Sequence, residues 1–265
     1  MATMNFRPLS TRRRVLLGIF GVFLVLLLWE VVSTIGWLPA ESIPPAHVVL
    51  QDFAQQLTSA VFWQALWDTL RVTLIGLAII IVIAVPVALL IGLVPFIAES
   101  TWFVVEFLKP IPPVAIIPLG LLLWGPTDNL KLLLVVFGAI WPLLIQLIDA
   151  VRQIDPVSRE MARSYRLGWW LTTSRLVMPT VMPFALTGLR VSAAIAVIIA
   201  IVTEMVGGAA GLGQSVVVAQ SAGALGPMYA LILAAGLLGL LMNAAFKMLE
   251  KPVLFWHPSV REETA

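Results

Sequence analysis

The chain has 265 residues, 60% hydrophobic and only 11% charged, where soluble proteins carry about a quarter charged residues, so a soluble globular domain is excluded. A formal charge of +2 is too small to point to nucleic acid. With no cysteine, disulfide frameworks, thiolate catalysis and cysteine-based metal sites are excluded as well.

Arg12-Arg13-Arg14 precedes an apolar run from Val15 to Leu28, continued through Trp29 to Ile35. A basic start before an apolar stretch also suits a cleaved signal peptide. The run is long enough to span, however, and Trp37-Leu38-Pro39-Ala40 is a poor cleavage site. The expectation is an uncleaved first span with Glu30 near its outer end, in reach of water. Residues 36–68 are more polar and hold Pro39, Pro44 and Pro45. Val48, Val49, Phe53 and Leu57 make an amphipathic piece for the outer interface, and Trp63 and Trp67 suit the aromatic belt there.

The second span is expected from Thr69 to Val94, kinked at Pro86. A turn at Pro95–Thr101 then leads to a third span, Trp102 to Leu123. Pro110, Pro112 and Pro113 forbid regular helix inside it, since each removes a donor and clashes with the preceding turn. Irregular backbone at membrane depth survives only when buried in protein or lining a wet cavity, so this piece is placed toward the interior. Glu106 and Lys109, three apart, are read as a local ion pair. Span four runs from Leu130 to Ile148 after the turn at Gly125-Pro126-Thr127-Asp128.

Between spans four and five lies the one polar stretch, Gln153 to Pro179. Asp155 is placed to cap a helix that Pro156 opens. At helical spacing Val157, Met161 and Tyr165 share one face, and Arg159, Arg163 and Arg166 another. Composition alone leaves an ordinary basic loop as an even alternative. The residue order goes further. Glu160-Met161-Ala162 followed by Leu176-Val177-Met178-Pro179 resembles the EAA loop of ABC-importer permeases: Glu-Ala-Ala, three residues, Gly, nine residues, Ile-x-Leu-Pro. Met161 stands in an Ala position, Leu176 for Ile and Met178 for Leu. Arg166 stands where the motif has Gly, and the nearest glycine, Gly168, comes two residues later, which shifts the expected turn. Leu108-Lys109-Pro110-Ile111-Pro112-Pro113 and the run on to Leu119, Thr187-Gly188-Leu189-Arg190, Thr203-Glu204-Met205 and Gly211-Leu212-Gly213 look like the nitrate/taurine/sulfonate branch of those permeases. The resemblance covers roughly residues 69–257.

Span five is expected from Phe184 to Met205, with Arg190 near its inner end, where a carboxylate or carbonyl partner is at least as fitting as an anionic cargo. Glu204 is placed near the outer surface or turned toward the path, with a solvated surface group as the alternative. The glycine-rich Gly207–Gly213 loop lacks the Lys-Ser/Thr end of a phosphate loop and reads as outer re-entrant backbone whose amides can bond Glu204. Span six runs from Met228 to Leu249. His47 and His257 sit in polar connections and are read as solvated. Of the sixteen basic residues, four precede the first span, five fall within 152–175 and three follow position 246. The positive-inside rule therefore puts both termini and the polar loop in the cytoplasm.

The expected protein is an all-α integral membrane protein of about six transmembrane helices in the bacterial inner membrane. Residues 1–68 form tail, first span and periplasmic connection; residues 69–250 form the permease core with a cytoplasmic loop at 150–182; residues 251–265 form a tail. The resemblance implies the type I ABC importer permease fold. It implies two ATP-binding cassette subunits holding ATP and Mg, a second permease copy, and an extracytoplasmic protein delivering a small anionic or polar solute. No cofactor, metal or catalytic residue is expected in this chain, and its surroundings are lipid. The resemblance also assigns Val157, Arg159, Glu160, Met161, Ala162, Arg163, Tyr165, Gly168 and Pro179 to coupling with the ATPase subunit. Pro112, Pro113, Arg190, Glu204, Gly211 and Gly213 are candidates for the path or its gate. The competing class is an ion-gradient-driven transporter with Glu106 and Glu204 as ion sites; no inverted repeat is evident for it, and it leaves the Glu160–Pro179 pattern unused. An inert membrane scaffold leaves Glu204 and the glycine loop without a role.

Overall fold

The computed structural model describes residues 11–35 and 42–255. The tail before residue 11, the Trp37–Ala40 segment, His257 and the tail from residue 256 lie outside the described residues. Among the described residues all regular structure is helical: α1 (Thr11–Thr34), α2 (Ala46–Gln56), α3 (Ala60–Leu93), α4 (Pro95–Leu108), α5 (Ile117–Trp124), α6 (Asp128–Arg152), α7 (Pro156–Ser164), α8 (Trp169–Thr172), α9 (Met178–Gly207), α10 (Leu212–Ser221) and α11 (Leu225–Val253).

Five helices or continuous helical runs are long and apolar enough to cross a membrane, and α4 with α5 forms a sixth candidate bent by 82°. The bend falls at the proline cluster, where a short 3-10 turn (Pro113–Ile116) replaces regular helix. The packing shows that this bent pair does cross. Gly92 at the end of α3 lies against Val151 at the end of α6, while Arg71 near the start of α3 pairs with Asp128 at the start of α6. The chain thus leaves α3 at one end of the bundle and enters α6 at the other, and only α4 and α5 connect them. Six crossings place the starts of α1 and the end of α11 on the same side.

The core is α3, α6 and α9, whose buried Ile80, Ala84, Leu134, Val135, Ala139, Ala193, Ala196 and Ala200 meet in one apolar cluster. Small residues let these helices approach, as expected where no water drives them together. A β-carbon on Gly76 would stand 2.6 Å from Val135, and one on Gly188 would stand 3.1 Å from the Leu143 backbone. Pro86 lies inside an unbroken α3. By contrast α1 buries only Ser33 among its described side chains and is tied to the rest near its C-terminal end: the Trp29 indole donates to the Pro44 carbonyl at 3.1 Å, and its ring tilts against Tyr229.

Several expected boundaries need correction. The segment Pro95–Thr101 is not a turn; α4 starts at Pro95, because Val94 is extended and proline suits the first helical turn. Span five does not begin at Phe184. Helix runs without interruption from Trp169 to Gly207, 39 residues, through a π turn at Thr173–Val177. Pro179 and Pro183 therefore stand inside this run, ten and fourteen residues after Trp169, and each leaves a carbonyl of the preceding turn without its amide. The glycine loop is shorter than expected, since α10 already begins at Leu212 and Gly213 is helical. His47 is not simply solvated: its amide and ring nitrogen meet the Glu30 carboxylate at 3.2 and 2.7 Å, tying α1 to α2.

Candidate functional site

The polar loop builds a short helix, α7, from strictly local chemistry. The Asp155 carboxylate accepts from the amides of Val157 (3.2 Å) and Ser158 (3.0 Å) and from the Ser158 hydroxyl (2.9 Å). The Ser158 hydroxyl, then the two amides, hold its carboxyl below the ordinary 3.8. This exposed cap is therefore present above the ordinary value and lost as pH falls through the lowered one. Pro156 follows as the first helical residue.

The end of α7 resolves the missing glycine. The Leu167 amide donates to Ala162 and the Arg166 amide to Arg163, both at 2.9 Å, which is a Schellman closure with Arg166 in the left-handed conformation (φ 50°). The turn stays where the motif has it, and Arg166 occupies the glycine position at a steric cost. Gly168, assigned to the turn by its sequence, has φ −62° and needs no glycine. Arg166→Gly is expected to stabilise the loop by about 1 kcal/mol. That is roughly fivefold slower amide exchange across α7 at an unchanged turn; unchanged or faster exchange contradicts the cost assigned to Arg166.

Val157, Met161 and Tyr165 are 62%, 53% and 73% exposed on one face. Glu160 and Arg163 flank them, also exposed. Two residues that the resemblance assigns to coupling make contacts within this chain. Ala162, one position round from Met161, is buried within this chain. Arg159 is half-buried, and its guanidinium donates to the Val151 carbonyl, pinning α7 under the end of α6. Pro179 lies exposed in the first turn of α9.

At the opposite end of the bundle is a polar cluster whose extent the sequence conceals. Glu204 is fully buried, which removes the alternative of a solvated surface group. Its carboxylate accepts from the Thr69 hydroxyl at 2.9 Å, the Gly213 amide at 3.0 Å and the Lys131 ammonium at 3.4 Å. Lys131 is equally buried and also meets the Ala210 carbonyl (2.6 Å) and Asp128 (3.1 Å). The Thr69 hydroxyl in turn accepts from the Leu212 amide at 3.0 Å. Four helices and the glycine loop are thus tied at one point. Buried charges persist only when paired and bonded in this way.

The glycines fit this cluster sterically. A β-carbon on Gly211 would fall on the Glu204 carboxylate, and its φ of 152° disfavours other residues; one on Gly213 would stand 2.8 Å from the Glu204 β-carbon. Lys131 and Thr69 escaped the sequence reading. The available signal was an ammonium only three residues inside an apolar span, which needs a carboxylate at the same depth.

The remaining path candidates are not brought together. Arg190 meets the Glu250 carboxylate of α11 at 3.6 Å, a partner within the chain. It stands fourteen residues, about 21 Å of helix, from Glu204. Pro112 is exposed, while Pro113 packs on Gly138. Glu106 and Lys109 form the expected pair at 2.9 Å. Among the described residues no group of three or more His, Asp or Glu side chains is placed to hold a metal ion.

Residues 80–254 match the family described as binding-protein-dependent transport system inner membrane component. The chain is 24% identical to the putative aliphatic sulfonates transport permease protein SsuC of Bacillus subtilis (strain 168), over 91% of this chain and 88% of the relative. It is 26% identical to the taurine transport system permease protein TauC of Escherichia coli (strain K12), over 96% and 94%. A solved structure of the MetNI methionine ABC transporter in an inward-facing conformation shares its fold. It has a TM-score of 0.63 and 18% identity, over 73% of this chain and 96% of the solved one.

Proposed function

The chain belongs to the binding-protein-dependent transport system inner membrane components, and from that premise we propose how its two polar sites serve import. It is a multi-pass inner-membrane permease component of an ABC importer, a transport subunit and not an enzyme, and ATP hydrolysis resides on a separate subunit. In our reading two copies of this chain form one path, since a single bundle closed around its own α3, α6 and α9 encloses none. Two ATP-binding cassette subunits carrying ATP and Mg dock beneath, with both permease termini on their cytoplasmic side. An extracytoplasmic binding protein delivers a small anionic or polar solute; the relatives named for sulfonates and taurine support this class.

The observation that carries the reading is α7. A nine-residue helix, capped and closed at both ends, hangs between two spans and turns Val157, Met161 and Tyr165 outward. An isolated helix of that length is unstable in water, so its exposed apolar face is there to be covered. Seated in a groove of the ATPase subunit, it transmits motion rigidly, because Arg159 fixes it to α6 and the Schellman turn leads into the unbroken Trp169–Gly207 helix. Glu160 and Arg163 set orientation and partner choice. Glu204, Gly211 and Gly213 hold the outer end closed in one of two arrangements that the binding protein biases.

Reconstitution tests the class: uptake into proteoliposomes requires the separate ATPase subunit and ATP, and an ion gradient alone drives none. Uptake on a gradient without ATP returns the secondary-transporter reading. Stoichiometry tests the assembly. The purified transporting complex is expected to have the mass of two permeases and two ATPase subunits, and an active 1:1 complex rules the dimer out.

A further inference from the structure

Between α3, α6 and α9, in the half of the bundle nearer α7, lies a wholly apolar cavity of about 230 Å³ lined by Val85, Leu89, Leu147, Met178, Val181 and Met182 among others. Of its lining residues Met178, on the side nearer α7, is 39% exposed, and Ile81, farther from α7, is 38% exposed. Less than one turn earlier on the same continuous helix stands Arg175, exposed and without a side-chain hydrogen bond or ion pair among the described residues. Five and six residues before Arg175, Trp170 and Trp169 are 72% and 70% exposed, their rings 6.4 Å apart, with neither indole nitrogen bonded among the described residues.

Each part selects the same occupant. Tryptophans at the mouth of a span mark the headgroup level of a bilayer. From Pro156 to Thr180 the chain holds four arginines against one acid, Glu160, so the surface at that level attracts anions. An open apolar cavity just inside the span borders on acyl chain, not water. We infer that this inner corner of α9 is a binding site for one anionic phospholipid of the cytoplasmic leaflet. The phosphate sits at Arg175, with the tryptophans on the same end of the helix at the headgroup level, and an acyl chain enters the cavity past Met178. The site lies where the loop that carries α7 joins span five, so its occupant stiffens that joint: the π turn at Thr173–Val177 and the prolines 179 and 183 leave the helical ladder there short of bonds.

Dioleoylphosphatidylglycerol, dioleoylphosphatidylcholine and inorganic phosphate are added separately to the permease alone in detergent, and the unfolding temperature is read. Phosphatidylglycerol at about a hundredfold excess over its dissociation constant is expected to raise it by about 5 °C. Phosphatidylcholine should raise it by less than half as much, and phosphate not at all. Arg175→Ala, a surface change, should reduce the phosphatidylglycerol shift to that of phosphatidylcholine. Ala185→Phe, which fills the cavity, should diminish both. Equal shifts from the two lipids in the unaltered protein, or an equal shift from phosphate, overturn the proposal. So does an Arg175→Ala protein that keeps the full lipid shift but no longer retains its ATPase subunit, which assigns this surface to that partner. Arg175→Ala decides the matter even where Ala185→Phe fails to fold.

Discussion

Lys131→Met is expected to lower the stability of the permease by about 3–5 kcal/mol, the cost of removing one partner of a buried ion pair. In a chain of this size that is a fall of roughly 10 °C in unfolding temperature. Glu204 keeps the Gly213 amide and the Thr69 hydroxyl after this change, but no described cation remains within bonding distance of it. The reverse change is gentler. After Glu204→Ala, Lys131 still meets Asp128 and the Ala210 carbonyl, so its charge stays paired. What is lost there is the knot between α9, α3 and α10, with the Gly213 amide left unbonded.

Glu204→Gln keeps the acceptor and the shape, and Lys131→Met/Glu204→Gln removes both charges together. The double variant should recover most of the stability that Lys131→Met loses, since two neutral groups replace one stranded charge. Transport sorts the single variants in the same way. Glu204→Ala should impair uptake and alter basal ATP hydrolysis, and Glu204→Gln should do so less. Wild-type stability in Lys131→Met, or losses that simply add in the double variant, would show that the two groups are not coupled. Wild-type uptake in both Glu204 variants would leave the knot without a part in gating.

The extent of this knot shows where the sequence was legible. Span existence came from apolar length, a property of each segment alone, so α1, α3, α6, α9 and α11 were all foreseen. The α7 helix was equally local, with its cap, its first proline and its two faces all contained in a dozen residues. Arg166 was harder. Its left-handed backbone is set by the two amide bonds that close α7, and side-chain preference pointed two residues later to Gly168. Tertiary pairing was out of reach for another reason. Thr69, Lys131 and Glu204 lie 135 positions apart at the extremes, and nothing local marks which of several outer-end groups are buried. The glycine loop was read as re-entrant backbone whose amides can bond Glu204, and the Gly213 amide does; what no local pattern marked is that Gly211 and Gly213 make room for that carboxylate.

The remaining large effect is expected at the other polar site. Met161→Asp should leave the permease folded, because the side chain is more than half exposed and substitutions there rarely exceed half a kcal/mol. Docking is a different matter. In the proposed complex that side chain enters an apolar groove, and an aspartate there is desolvated without a partner at a cost of about 3 kcal/mol or more. Affinity for the ATPase subunit should therefore fall at least about a hundredfold. Glu160→Ala removes one charge-assisted contact, about 1.5–3 kcal/mol, so it should weaken the same complex by less. The unfolding temperature of the isolated permease separates docking from folding, since it should not move in either variant. Coupling adds a second reading. At ATPase concentrations high enough to force assembly, a misfitted helix follows the ATPase halves poorly, and ATP consumed per solute imported should rise. A Met161→Asp permease that keeps its ATPase subunit and imports at the wild-type rate would mean that the exposed face of α7 docks nothing. Val157, Met161 and Tyr165 would then need a different cover.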